Sequence, residues 1–143
     1  DLLANDFVHK LLTDRYITLF EHKFVRNFIH IQDVSSAFEF MIENYDKHQG
    51  KIFNVGLSDT NINKKELVEK IQKQISETSV NYSDYYVDPD KRDYIVSNEK
   101  IEATGWKPQY SLDNGITELI QSYKMIVPTQ LQYRNTTPLS YKE

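Results

Sequence analysis

No cysteine occurs in the 143 residues of this chain. That excludes a disulfide framework, a thiolate metal site and a cysteine nucleophile. It suits a reducing compartment, and a cytoplasmic location is expected. Glycine is scarce, at Gly50, Gly56, Gly105 and Gly115 only. No two stand close enough for a G-x-G-x-x-G turn or a P-loop, so the chain builds neither phosphate cradle by itself. Apolar runs long enough for a membrane span are missing, as is a signal-peptide pattern. Basic charge is not in excess: 17 Lys and Arg stand against 21 Asp and Glu, a net charge of −4. Nucleic acid is therefore not an expected partner. The four histidines, His9, His22, His30 and His48, show no metal-ligand spacing. No G-x-S-x-G nucleophile elbow is present.

What is present reads as one soluble α/β domain, with 39% hydrophobic and 27% charged residues. Leu3, Phe7, Val8 and Leu11 predict an amphipathic helix over residues 1–13. Residues 17–20 and 24–31 read as strands, rich in β-branched and aromatic side chains. Asp33 is expected to cap a helix whose inner face carries Val34, Ala37, Phe38, Met41 and Ile42. A third strand is expected over 51–56. Asn63 and Glu66 form a capping-box pattern before a helix with Leu67, Val68, Ile71 and Ile75. Residues 76–84 read as loop, 85–87 as a short strand, 88–92 as a turn and 94–96 as extended. Ser97 is expected to cap a short helix through Ala103, with Gly105 in the left-handed position beyond its end. Ser111 is expected to cap a last helix with Leu112, Ile116, Leu119, Ile120 and Tyr123. The subdomain is placed at 1–126 and a tail at 127–143. Three or four short strands are thin for an independent sheet. Together with an opening on Asp1, that points to a chain starting inside a larger protein.

Among the four arginines, Arg26 interrupts an otherwise apolar strand. Such a guanidinium needs an anion. Two readings stay open: an internal ion pair with Asp33 or Glu21, or a phosphate clamp, since the planar fork grips phosphate bidentately. Arg92 sits in a charged turn beside Lys91, with a solvated cluster as the plain alternative. His30, between Ile29 and Ile31, reads as a satisfied core or edge histidine.

Three segments carry a resemblance. Residues 26–34, Arg-Asn-Phe-Ile-His-Ile-Gln-Asp-Val, resemble the R-D-F-I-H-V-D-D-V segment of extended short-chain dehydrogenases/reductases. These are the NAD(P)-dependent sugar-nucleotide epimerases, dehydratases and decarboxylases. Residues 52–56 are similar to their Y-N-V-G strand end. Residues 88–116, through Gly105-Trp106-Lys107-Pro108 and Gly115-Ile116, are similar to their C-terminal signature. The order and spacing match over residues 1–126.

The resemblance implies the C-terminal, substrate-binding part of such an enzyme, holding the nucleotide diphosphate of a sugar nucleotide. It implies that NAD(P) and the catalytic Ser/Thr, Tyr and Lys belong to a Rossmann half not contained here. In agreement, no Tyr of this chain has a Lys four residues on. No catalytic, cofactor-binding or metal-binding residue is assigned. By the same resemblance Arg26 matches a diphosphate-clamping arginine and Phe28 an aromatic near the nucleotide. Phe20 matches a ring that packs on the base, and Arg92 a second phosphate arginine, with Lys91 a rival. Asn5 matches an asparagine near the phosphates, with Asp6 a rival. The implied partners are a nucleotide-diphosphate sugar and the Rossmann half; the family often dimerises through helices of that half. A non-catalytic nucleotide-sugar binding module, or a truncated remnant, is the alternative. One departure stands out: Glu21-His22-Lys23 replaces a G-D-G loop.

Overall fold

The computed structural model describes residues 2–83, 85 and 92–125, which form six helices and four short strands. Helix α1 (Leu3–Thr13) buries Phe7, Val8 and Leu11 on one stripe, as its spacing dictates. Arg15 takes a left-handed φ of 58° and turns the chain into β1 (Tyr16–Phe20). The alternation of β1 buries Ile17 and Leu19 on one face.

Strand β2 (Val25–Asn27) is much shorter than the expected 24–31. It ends because His30 starts α2 (Ile31–Glu43), followed by α3 (Tyr45–His48). Strand β3 (Asn61–Asn63) pairs antiparallel with β2, placing Arg26 opposite Ile62. Helix α4 (Lys64–Gln72) carries the full capping box. The Glu66 amide donates to Asn63 Oδ1 at 2.9 Å, and the Asn63 amide to Glu66 Oε2 at 2.8 Å. Asn63→Ala is expected to cost about 1 kcal/mol in chemical denaturation, with an unchanged m-value.

The expected loop over 76–84 instead contains strand β4 (Ser79–Ser83), which pairs parallel with β1 in register Tyr16–Ser79 to Phe20–Ser83. Its polar sequence hid it; only the β1 edge calls for it. Conversely, 51–56 forms no strand. Tyr85 is in no strand, and 86–87 with most of the 88–92 turn lie outside the described residues, as does the 127–143 tail.

Helix α5 (Glu99–Glu102) starts after Asn98, not Ser97, with no side-chain cap. Gly105 follows at φ 100°, a conformation that favours glycine. Ser111 caps α6 (Leu112–Met125) as expected, its Oγ accepting the Asn114 amide. The main core joins α1, β1, α4 and α6. A second, smaller cluster joins Ala37, Ile101 and Trp106.

Asp33 is not the cap of α2. His30 is, its Nδ1 accepting the Gln32 amide at 3.2 Å. Asp33 is fully buried in the first turn, and its two oxygens accept the amides of Gln109 (2.8 Å) and Tyr110 (3.1 Å). Trp106 adds a bond to Ser36 at 3.1 Å, and Tyr110 stacks on His30 at 4.4 Å. The 106–110 linker is thereby pinned along the inner side of α2. Phe38 and Ile42 point away from it and are exposed.

Candidate functional site

Arg26 is the centre of the site because its sequence position forces burial. The short ladder with β3 holds it, and it is 8% exposed. Its guanidinium donates to the Val25 carbonyl at 2.8 Å and lies 5.3 Å from the centroid of the Tyr94 ring. A planar guanidinium over an aromatic face is a favourable cation–π geometry. The Val25 amide donates to Asp93 Oδ1 at 2.8 Å. Asp93 and Tyr94 thus tie the segment that follows Arg92 to the strand that carries Arg26. Asp33, an expected ion partner of Arg26, is engaged instead by Gln109 and Tyr110. The buried Oε2 of Glu21, the other expected ion partner, has no hydrogen-bond partner.

Phe20 ends β1, and its carbonyl accepts from Lys64 Nζ at 3.2 Å. The loop after it keeps its turn without glycine: Glu21 itself takes a φ of 44°. His22 Nδ1 is also buried without a hydrogen-bond partner. Phe28 packs against the main core, and its amide and carbonyl both bond to Thr60 Oγ1, at 3.3 and 2.6 Å. The Asn5 side chain bonds Tyr123 on α6. Burial and the Asp6 carboxylate hold the Tyr123 phenol above its usual value, which the Asn5 bond partly offsets.

Asp93 and Tyr94 thus stand beside the strand of Arg26, while Phe28 also packs on the main core. Sequence reasoning missed Tyr94, Asp93 and Lys64. Lys64 carried a signal: a cation in the first turn of a helix opposes the helix dipole, so its burial asked for an acceptor elsewhere. His30 is satisfied as expected, with Nε2 3.0 Å from Glu118 Oε2. Among the described residues no group of His, Cys, Asp or Glu could hold a metal ion, and no helix is long and apolar enough to cross a membrane. The four glycines do not fit a dinucleotide cradle. Gly50 and Gly105 follow helices, Gly56 packs against asparagines, and Gly115 lies inside α6.

The chain has the fold and the sequence pattern of the C-terminal part of an extended short-chain dehydrogenase/reductase. No family model matches it. In fold it is similar to UDP-glucose 4-epimerase of Thermus thermophilus, solved with NAD. The TM-score is 0.72 at 19% identity, over 87% of this chain and 40% of that one. In sequence it is 32% identical over 108 residues to dTDP-D-glucose 4,6-dehydratase of Mus musculus, covering 69% of this chain and 29% of that protein. It is also 33% identical over 104 residues to UDP-D-apiose/UDP-D-xylose synthase 2 of Arabidopsis thaliana, covering 61% and 26%. The chain spans about a third or less of the length of the curated relatives it matches.

Proposed function

We propose that this chain is the substrate-holding part of an NAD(P)-dependent sugar-nucleotide epimerase or dehydratase. Arg26 and Arg92 grip the diphosphate of the sugar nucleotide, Phe20 packs on its base, and Phe28 and Asn5 stand nearby. The observation that carries this reading is Arg26 itself, buried in a strand with its guanidinium over the ring of Tyr94, two residues from Arg92. A fork held this way loses little freedom when it meets two phosphate oxygens. Binding energy spent on the diphosphate, remote from the sugar, positions the sugar for reaction. Oxidation and reduction belong to the NAD(P)-binding half, and no residue of this chain is given a part in them. The relatives named for sugar-nucleotide enzymes support the substrate class.

Calorimetry of the full chain with UDP, GDP, CDP and dTDP tests the reading. Arg26→Ala is expected to weaken the best of these by about 10- to 100-fold, the worth of a charge-assisted bond. Unchanged affinity, or no binding by any diphosphate, overturns it. With NAD and a panel of sugar nucleotides, the chain alone is expected to give no turnover.

A further inference from the structure

The loop after β1 carries three local costs in two consecutive residues. Glu21 holds a left-handed φ of 44°, which is strained for a residue with a side chain. Its Oε2 is buried and, among the described residues, accepts from nothing. The Nδ1 of His22 is buried without a partner in the same way. Buried polar atoms are nearly always hydrogen-bonded, and leaving one unpaired destabilises a fold. Strain gathered in one short segment is characteristic of ligand sites, where it serves recognition and not folding.

The loop is nonetheless held in place. Lys64 Nζ donates to the Phe20 carbonyl at 3.2 Å, and the Lys65 amide donates to the His22 carbonyl at 3.3 Å. The start of α4 thus pins the chain on both sides of Glu21. The His22 ring meets the Tyr82 ring of β4 in a T-shaped contact, 5.0 Å between centroids, and Lys65 Nζ lies 6.0 Å from the centre of the same ring. With the backbone pinned, side-chain rotation is what brings the two buried atoms to a ligand. Because neither atom has a hydrogen bond to break, that rotation costs little at either of them.

We infer that Glu21 and His22 read the base of the sugar nucleotide, and that this base is guanine. The inference rests on the proposed function, in which the ring of Phe20 packs on the base. Glu21 and His22 are the next two side chains along the chain. Uracil and thymine flank their single N3–H with two carbonyl oxygens, so a carboxylate gains one bond there and faces two acceptors. Adenine and cytosine each set one amino group beside an acceptor nitrogen. Guanine alone places two donors side by side, N1–H and the N2 amino group, which fit the two oxygens of one carboxylate. Its O6 stands next to them and accepts from His22 in the tautomer that carries hydrogen on Nδ1.

Calorimetry of the full chain with GDP, dTDP and UDP is the test. GDP is expected to bind about 10- to 100-fold more tightly than the other two, the discrimination of a good bidentate pair. Glu21→Gln keeps the shape but offers one acceptor oxygen, so it should bring GDP down to the level of dTDP and UDP. His22→Ala should weaken GDP alone, and by less. Glu21→Gly relieves the left-handed strain and removes the buried oxygen. It should therefore raise the melting temperature while abolishing the preference, a split that a merely structural role would not give. Equal affinities for the three, or a preference for a pyrimidine, overturns the inference. So does a Glu21→Gln variant that weakens all three alike, or a Glu21→Gly variant that melts lower. If dTDP or UDP binds through Arg26 without any effect of Glu21, the base assignment falls and the diphosphate grip stands. If none of the three binds, both fall.

Discussion

Replacing Asp33 with alanine is expected to destabilise the chain by about 3–5 kcal/mol, the largest loss from any single polar side chain here. Its carboxylate is fully buried and serves two amides, of Gln109 and Tyr110, 76 and 77 residues away. Hydrogen bonds to an ionised group are each worth about 1.5–3 kcal/mol, and removing the acceptor leaves two donors without partners. Its place in the first turn of α2 adds a favourable dipole contribution. Asp33→Asn keeps one acceptor oxygen but sets an NH2 group against the second amide, so it should cost about half as much. Thermal unfolding measures both. Amide exchange adds a readout specific to the cause: residues 106–111 should lose protection before α1 and α4 do. An alanine variant as stable as the parent would show that the linker does not depend on this carboxylate.

Asp33 also marks the boundary of what the sequence reveals. Helices α1, α4 and α6 were legible because their stripes, the Asn63–Glu66 box and the Ser111 cap are local patterns. An aspartate at a helix start has the same local appearance whether it caps that helix or reaches a distant linker. Only the return of residues 109–110 decides, and no local pattern encodes that return. The same reason hid β4, whose Ser-Val-Asn-Tyr-Ser becomes a strand because β1 lies beside it. It also explains the opposite error at 51–56, where strand sequence meets no strand edge. At the candidate site Arg26 was legible, since an arginine in an apolar run has to be explained by a partner. Tyr94 was not, because a ring beneath a guanidinium is a contact across 68 positions of chain, and ten tyrosines offered themselves equally.

Gly56→Ala is expected to cost about 2–4 kcal/mol, and the reason is space, not backbone conformation. A Cβ at position 56 would stand 2.0 Å from Asn27 Oδ1 and 3.0 Å from Asn98 Oδ1. Asn27 is not free to swing aside. Its Nδ2 donates to the Leu57 carbonyl at 2.7 Å and to Asn61 Oδ1 at 3.2 Å. Asn61 in turn holds the 96 position from both sides, accepting the Val96 amide and donating to its carbonyl. To admit the methyl group, Asn27 has to give up bonds that tie β2, beside Arg26, to the segment leading from Tyr94. The melting temperature should fall by roughly 10 °C for a domain of this size. The decisive measurement is a double-mutant cycle with Asn27→Ala. Once the obstructing side chain is gone, adding the Gly56 methyl should cost little, so the two losses should fall well short of their sum. Strict additivity would mean that the methyl is resisted by something other than Asn27. Because the same asparagine ladder sets the distance between Arg26 and residues 92–94, Gly56→Ala should also weaken nucleotide-diphosphate binding, even at temperatures where the variant remains folded.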